Sequence, residues 1–385
     1  MIRPFTSHVT AALATCLALL ACAPEPVPQD AVPPSGDSTR PLIYGDLLGV
    51  NYTWAADRHI VSPAGPWTRL PFRHVRYFQM MEKDYGAGAT PGSAALAPCT
   101  DVANPWSCPE RSMRQHLVRV AALRQLYPDG LIWIAPEVLA GRGWPCKGWT
   151  VAELGTDPEL AGYHWARAAL QTYGAVGGDI VLAMGNEEWC AEEGRAEAMN
   201  AWRRGVVRAH RENPSCQLAV DARHVRPRTW EGKLLPESVE AVAPEVWAYV
   251  DSIGGWADYH AHGIERGRFL PRDRAHEAAD FRDFFAWSAW LKSRYPGIRR
   301  AVGEVAYTSS APGVVPDDTY KLADWPTYRN LIERLVAGGA DAVFLYQAAE
   351  QPSPEGAFSG SGVWPALRNE LESFGREALP EPGRD

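Results

Sequence analysis

The stretch Ile180–Trp189 reads IVLAMGNEEW and combines an apolar run with polar residues near its end. Its first five residues are apolar without alternation, which is the pattern of a strand buried on both faces of a parallel sheet. An amide and a carboxylic acid, Asn186 and Glu187, then follow side by side. Because parallel barrels present functional side chains at the carboxyl ends of their strands, this stretch predicts a barrel strand that ends in a site.

A second carboxylic acid closes a later apolar segment. Ala301–Glu304 reads AVGE, and Glu304 comes 117 residues after Glu187. That separation leaves room for three strand–helix units, so the two acids are predicted at the tips of strands four and seven. Tips of opposed strands converge across the mouth of an eight-stranded barrel.

Short apolar runs alternate with segments of helical period, and this predicts a single (β/α)8 TIM barrel over residues 42–376. We find no internal repeat and no second domain in the sequence. Pro63, Gly65 and Pro66 predict a loop between strands one and two, and Asp157-Pro158 predicts a capped helix start. The predicted strands are Leu47–Tyr52, His74–Phe78, Leu131–Ala135, Ile180–Met184, Gln217–Asp221, Ser252–His260, a strand ending at Glu304, and Ala342–Tyr346.

The first 21 residues have the pattern of a signal segment. Arg3 precedes an apolar run, Val9–Ala21, that is too short to span a bilayer. Leu19–Cys22 reads LLAC and resembles a bacterial lipobox, which implies cleavage before Cys22 and attachment of a lipid anchor to its thiol. Leu20 is less usual at its position than a small residue, so ordinary secretion stays open as an alternative. Either way, the protein is predicted to be exported.

Residues 22–41 contain six prolines, the composition of a semi-rigid tether between a membrane anchor and the barrel. At the other end, residues 377–385 are predicted to be a C-terminal tail. The sequence therefore divides into a signal segment, a tether, one catalytic barrel and a tail.

Export would place the cysteines in an oxidising compartment, where disulfides persist. Cys99 and Cys108 flank one loop and are the easiest local pair, whereas Cys146 and Cys190 both follow predicted strand ends and can pair across the barrel top. Cys216 opens a strand and is predicted to be a buried thiol. No CxxC or Cys/His spacing predicts a structural zinc site.

The overall composition is that of a soluble globular protein, with 46% hydrophobic and 22% charged residues. A net charge of −8 without a basic stripe argues against nucleic acid as a partner. Sixteen tryptophans are a heavy load for 385 residues. Some fill the core, and those near a cleft are suited to stacking on sugar rings.

Glycoside hydrolysis commonly uses two carboxyl groups that flank the scissile bond, and a barrel mouth can hold such a pair. One protonates the leaving oxygen, while the other attacks the anomeric carbon or activates water. A retaining mechanism requires a separation of roughly 5–5.5 Å between them. The residues thus predict a carbohydrate partner for Glu187 and Glu304.

The pairing of Asn186-Glu187 with Glu304 on these strands resembles the signature of glycoside hydrolase clan A, the retaining (β/α)8 enzymes. The resemblance implies that Asn186 binds a sugar 2-hydroxyl, Glu187 is the acid/base and Glu304 is the nucleophile. It is nearest to family 39, with families 5, 30 and 51 as neighbours. Family 39 usually has Pro after Asn-Glu, whereas this chain has Glu188 there.

The same resemblance implies further substrate contacts. Arg76 matches an arginine beneath the nucleophile, and Tyr259 with His260 matches a segment that lines the site from strand six, Asp258-Tyr259-His260. Tyr346 stands where the clan usually has Trp. From their positions after predicted strand ends, Glu137 is expected to bind a sugar hydroxyl or to cap a loop, and the candidate stacking platforms are Trp54, Trp144, Trp149, Trp189 and Trp256.

Two other functions stay open. One is a non-catalytic barrel that binds polysaccharide, although such barrels usually lose one of the two acids. The other is a metal-dependent hydrolase that uses His260 and His262, whose spacing is that of a barrel metal pair. The leading interpretation, a retaining hydrolase of a β-linked glycan, requires no cofactor and no metal.

Overall fold

The computed structural model describes fifteen segments of the chain, which divides into the units Met1–Pro41 and Leu42–Asp385. The predicted signal segment, Cys22 and the tether up to residue 40 lie outside the described residues. The described segments are residues 41–52, 72–81, 90–96, 109–138, 146–186, 189–190, 192–221, 229–230, 233–234, 242–252, 255–260, 284–285, 287–305, 325–345 and 368–380.

The second unit contains a closed barrel of eight parallel strands, which confirms the predicted architecture. Each strand is hydrogen-bonded to the next one along the chain, and the last pairs with the first through Leu48 opposite Val343. The strands are β1 Leu48–Tyr52, β2 His74–Met80, β3 Ile132–Glu137, β4 Ile180–Ala183, β5 Gln217–Asp221, β6 Trp256–His260, β7 Arg299–Val305 and β8 Ala342–Leu345.

Helices surround the barrel and cover the outward-facing residues of its strands. Within the part of the chain that the structure describes, no helix is long and apolar enough to cross a membrane. The described helices are α1 Pro91–Leu96, α2 Pro109–Leu126, α3 Val151–Leu154, α4 Pro158–Gly174, α5 Arg195–Glu212, α6 Pro244–Ser252, α7 residues 287–294, α8 Trp325–Ala337 and α9 Arg368–Phe374.

Local sequence signals explain several of the element boundaries. The Asp157 carboxylate accepts a hydrogen bond from the Leu160 amide at 2.9 Å, so the predicted helix cap is confirmed at the start of α4. Ser252, in contrast, ends α6 and does not begin β6, which starts at Trp256. Ile43 and Ala378 form an isolated bridge, so residues assigned to a C-terminal tail pack beside the entry to β1.

The interior of the barrel is filled by aromatic and small residues. The Trp133 ring lies edge-on to both Trp256 and Phe344, with 5.8 Å between ring centroids in each pair. Ala135, Ala219, Ala301 and Ala342 fill the space around these rings, as bulky and small residues alternate in the layers of such barrels. This aromatic floor supports the polar residues above it.

A histidine at the start of β2 is held in its neutral form by this packing. The His74 Nδ1 accepts a hydrogen bond from the Leu131 amide at 3.2 Å, and its ring lies 6.4 Å from that of Phe344. Burial lowers the pKa of His74 to about 4, and the positive charge of Arg73 is a second cause. The folded state therefore disfavours protonation of His74 at pH values where the unfolded chain accepts it.

We expect His74 to make the protein less stable as the pH falls from 6.5 towards 4. Between those values the unfolded chain binds a proton that the folded protein excludes, so the free energy of unfolding should fall by up to about 1.4 kcal/mol per pH unit from this residue. His74→Asn keeps an acceptor for the Leu131 amide but does not titrate. Urea unfolding at pH 7, 6 and 5 should give a flatter dependence for the variant; parallel curves would contradict the assignment.

Candidate active site

A buried guanidinium group connects the strands at the carboxyl end of the barrel. Arg76 of β2 has 0% exposure and points into the interior. Its Nη1 donates to Glu304 Oε1 at 2.9 Å and to Asn51 Oδ1 at 3.2 Å. Its Nη2 donates to Asp258 Oδ2 at 3.3 Å and to the side-chain oxygen of Asn186. One side chain thereby joins β2 to β1, β6 and β7, and also to Asn186, which lies three residues beyond the end of β4.

The charge of Arg76 is fixed by its neighbours. Burial alone would lower the pKa of Arg76, but the negative charges of Asp258 and Glu304 raise it above its ordinary value, and Glu137 acts in the same direction. The Phe78 ring adds a cation–π contact, with its centroid 4.8 Å from the guanidinium carbon. Glu304 therefore lies beside a permanent positive charge, which stabilises its carboxylate form.

An irregularity in β7 turns Glu304 towards the interior. Along β6, Tyr259 pairs with Val302 and the next residue, His260, pairs with Glu304, so β7 carries one extra residue. The same shift occurs against β8. Val302 pairs with Val343 and Val305 pairs with Leu345, so three steps along β7 match two steps along β8. Strict alternation from inward-facing Ala301 would point Glu304 outward. The bulge reverses that direction, as bulges beside active sites often do.

Gly303 allows this bulge to pack against β6. A Cβ added at Gly303 would lie 2.3 Å from Asp258 Oδ1, so a larger residue would displace the carboxylate that pairs with Arg76. The Asn51 side-chain NH2 donates to the Gly303 carbonyl at 3.0 Å and to that of Phe344 at 3.4 Å. Asn51 thus uses both ends of its amide to hold Arg76 and the strand that carries Glu304.

The end of β4 is set by a glycine in the left-handed region. Gly185 has φ of 111°, and this change of direction brings Asn186 to Arg76. With its oxygen against Arg76, the Asn186 amide can be oriented in only one way, because the flipped group would place donors against donors. Asn186 is 2% exposed, and its Nδ2 has no hydrogen-bond partner among the described residues.

Three of the residues predicted from sequence therefore meet in one network: Arg76, Asn186 and Glu304. Glu137 ends β3, is half-buried and is close enough to raise the pKa of Arg76. The described backbone places Tyr259 and His260 at the end of β6 and Trp189 in a short strand after β4. Glu187, Trp144 and Tyr346 lie outside the described residues, as does the candidate Trp54.

The structure corrects the prediction for Trp256. This residue begins β6, two residues before the Asp258 that contacts Arg76, and it is 4% exposed. Its indole NH donates to Gln217 Oε1 at 2.9 Å, and the Arg299 guanidinium lies 4.2 Å from its ring centroid. Trp256 is a residue of the aromatic floor and not a sugar platform. Trp149, another candidate, is 2% exposed and packs in the outer core.

Two residues that contact Arg76, Asp258 and Asn51, were not predicted as members of the site. In the sequence, Asp258 belongs to the strand-six segment, and Asn51, near the end of predicted strand one, is equally compatible with a structural and a substrate-facing role. A signal for Asp258 was available, since Trp256, Asp258 and His260 alternate with residues that face the helices. Within the described segments, no group of three or more His, Cys, Asp or Glu side chains is arranged to hold a metal ion.

Comparison with solved structures shows the fold. An endo-1,4-beta-D-mannanase from Thermotoga petrophila RKU-1, in a structure with maltose and glycerol, has a TM-score of 0.50 and 12% identity over 86% of this chain and 99% of that chain. A glycoside hydrolase family 5 enzyme from Prevotella bryantii B14 has a TM-score of 0.45 and 12% identity over 86% and 96% of the two chains. A Cellulomonas fimi endo-beta-1,4-mannanase double mutant has a TM-score of 0.48 and 12% identity over 86% and 71%.

No protein-family model matches the sequence, and a search of curated proteins finds no match. Two of the similar solved structures, from Prevotella bryantii B14 and Caldicellulosiruptor sp. F32, are described as family 5 enzymes. The expected likeness to family 39 is not supported. At 12% identity, the similarity to the Thermotoga petrophila structure shows the shared fold.

We expect Arg76→Met to lower the free energy of unfolding by about 3–5 kcal/mol at pH 7, because Glu304 and Asp258 would remain buried without a counter-charge. The matched control is Arg329→Met, which removes the half-buried ion pair between Arg329 and Glu377, 2.6 Å apart. This control should lower the free energy of unfolding by about 1 kcal/mol or less. Urea unfolding of both variants measures the difference. Equal losses would show that Arg76 is not the charge on which this network depends.

Proposed function

We propose that this protein is a retaining glycoside hydrolase that cleaves a β-linked poly- or oligosaccharide by double displacement. The observation that carries the proposal is the Arg76 bridge. It holds Glu304, the acid near the end of β7, and Asn186, the residue that immediately precedes Glu187 in the chain. The acid-bearing segments of β4 and β7 are thereby tied to one guanidinium at the carboxyl end of the barrel, where such enzymes build their sites.

In this proposal Glu304 is the nucleophile. Its carboxylate attacks the anomeric carbon, the bond from that carbon to the glycosidic oxygen breaks, and a covalent glycosyl-enzyme forms. The role requires an ionised oxygen, and the Nη1 of Arg76 at 2.9 Å favours that state. Because Arg76 also binds Asn51 and Asn186, the attacking group is held in place before substrate arrives.

Glu187 is proposed as the acid/base. It donates a proton to the departing glycosidic oxygen in the first step, and in the second it takes a proton from the water that attacks the glycosyl-enzyme. The chain places Glu187 directly after Asn186, and Asn186 is fixed by Arg76. The mechanism needs no cofactor, because both proton transfer and covalent catalysis come from carboxyl groups.

Asn186 is proposed to bind the sugar 2-hydroxyl. Its oxygen is occupied by Arg76, so its NH2 group is oriented, and this group is buried without a partner in the described structure. A buried donor without an acceptor costs free energy, which a substrate hydroxyl would recover. Hydrogen bonds to the 2-hydroxyl strengthen in the transition state of glycosidases, so the contribution would appear in the rate.

The remaining sugar contacts are proposed from their places around this centre. Glu137 stands at the end of β3, and Tyr259 and His260 stand at the end of β6. Trp189 follows β4 in the chain, while Trp144 and Tyr346 follow β3 and β8 in sequence. A groove lined by these residues would combine aromatic stacking with polar contacts, as saccharide sites commonly do.

The decisive experiment measures turnover by matched carboxylate variants. Purified protein should release sized products from at least one member of a panel of β-linked polysaccharides, which includes β-1,4-mannan because the Thermotoga petrophila structure is described as a mannanase. Glu304→Gln should lower kcat by at least about 10⁴-fold with little change in melting temperature, since the covalent step is lost. Glu187→Ala should lose activity and recover part of it with azide on activated substrates.

Glu188→Gln is the control, because it replaces the acid next to Glu187 in the sequence and leaves both proposed catalytic residues unchanged. It should keep most of the activity. Normal turnover by Glu304→Gln or Glu187→Ala would overturn the assignment. Tight glycan binding without any product from the unmutated protein would favour a non-catalytic polysaccharide-binding barrel instead.

We also propose that the protein is exported and anchored by a lipid on Cys22, on the basis of the LLAC segment and the proline-rich residues that follow it. Lipid attachment should carry the full-length protein into the detergent phase of a phase-separation assay when it is expressed in a bacterial host. Cys22→Ser should move it to the aqueous phase. Equal partitioning of the two proteins would leave ordinary secretion as the better explanation.

A further inference from the structure

Two loops at the barrel mouth are joined by a short antiparallel ribbon that the mechanism does not explain. Cys146–Lys147 belongs to the loop after β3, and Trp189–Cys190 belongs to the segment after β4. In this ribbon Cys146 is the register partner of Cys190, and Lys147 is the partner of Trp189. The two cysteines therefore oppose each other directly, although 43 residues separate them along the chain.

We propose that Cys146 and Cys190 form a disulfide bond that ties these two loops together. Directly opposed residues of an antiparallel pair have Cα atoms about 4.5 or 5.5 Å apart, depending on whether the pair is hydrogen-bonded. Both values lie within the range of about 4.4–6.8 Å that disulfides span. The backbone register therefore predicts a Cα separation within the range that a disulfide requires.

A second contact joins the same two loops. The Val151 amide, just beyond the ribbon in the β3 loop, donates to Glu192 Oε2 at 2.9 Å. Glu192 lies two residues beyond Cys190, so the two segments are in contact on both sides of that cysteine. The proposed bond would lock a pairing that hydrogen bonds already form, and it need not create a new one.

Cys216 is a poor competitor for either partner. It is 4% exposed at the base of the barrel, where it immediately precedes β5. Burial raises the pKa of its thiol to about 12, so it is scarcely ionised at neutral pH, and only the thiolate exchanges with disulfides. It is a free thiol in the structure.

The chemistry of the bond is thiol–disulfide exchange. The thiolate of one cysteine attacks a small or protein disulfide and releases one of its sulfurs as a thiol, and the second cysteine then displaces the other sulfur. Two protein thiols become one S–S bond, and the oxidant, which is a disulfide, accepts two electrons and two protons to become two thiols. Exported proteins encounter such oxidants, and export of this protein is itself part of the proposal above.

The bond would also have a catalytic consequence, and this part rests on the proposed function. Cys190 comes three residues after Glu187, and the intervening chain is the segment that carries the acid/base away from β4. A covalent tie to the β3 loop would restrict where that segment can move. Its loss should therefore lower kcat, while the barrel, whose strands close independently of the ribbon, stays folded.

Peptide mapping of the full-length protein tests the bond directly. After unfolding in an alkylating reagent without reductant, we expect one cross-linked pair of peptides that contains Cys146 and Cys190, two hydrogen atoms lighter than the sum of the free peptides. Reductant should abolish it. Alkylation of both cysteines in unreduced protein refolded with oxidised glutathione, or a cross-link of either one to Cys99 or Cys108, would overturn the proposal.

The variant Cys146→Ser/Cys190→Ser measures what the bond does. Its melting temperature should be about 5 °C lower than that of the oxidised parent, since the closed loop no longer restricts the unfolded chain. Reductant should lower kcat of the parent and of a Cys216→Ser control several-fold, and it should leave kcat of the Cys146→Ser/Cys190→Ser variant unchanged. An unchanged melting temperature would overturn the stabilising role. Failure of the glycosidase assignment would remove the kcat readout and leave the peptide map intact.

Discussion

The structure depends on the burial of one positive charge inside the barrel. Moving a guanidinium from water into a protein interior costs several kcal/mol unless its donors find acceptors. Arg76 meets that requirement with oxygens from Asn51, Asn186, Asp258 and Glu304, which come from four different parts of the barrel. The hydrogen bonds and ion pairs of Arg76 therefore hold the ends of β1, β6 and β7 and the segment after β4 close together. The arrangement of the candidate site follows from these contacts.

The aromatic floor makes this charge network stronger. Trp133, Trp256 and Phe344 fill the barrel beneath Arg76 and keep water from reaching it from that side. In a low-dielectric surrounding, ion pairs and hydrogen bonds gain strength, and an unpaired group becomes more costly. The tryptophan that sequence reasoning assigned to sugar binding thus supports the site from below. Its contribution is the exclusion of water.

The strands were predictable because burial on both faces leaves an uninterrupted apolar run. β5 was predicted with its observed bounds, Gln217–Asp221, and β1, β3, β4 and β8 to within one or two residues at each end. The start of β6 was not, because the short run before it belongs to a helix, and an apolar run of that length fits either element. The error at Ser252 placed Trp256 in the middle of a strand, whereas Trp256 is the first residue of β6.

The sequence predicted which residues form the site better than it predicted how their side chains are directed. Arg76, Asn186 and Glu304 were identified because each stands on a predicted strand or directly at its end. The direction of Glu304 depends on one extra residue in β7, which leaves no trace in the pattern of apolar residues. Asn51 is similar, since an amide that binds backbone carbonyls is indistinguishable in sequence from one that binds substrate.

Register also separates the roles of the two acids that share Arg76. Asp258 pairs with Ala301, whereas Glu304 pairs with His260, so Glu304 lies nearer the carboxyl ends of the strands. Asp258 is enclosed by Gly303, where even a methyl group would collide with it. At that depth, the Asp258 carboxylate pairs with the guanidinium at 3.3 Å. Glu304 contacts the same guanidinium from a position nearer the carboxyl ends of the strands, and for this reason it is the acid that we propose as the nucleophile.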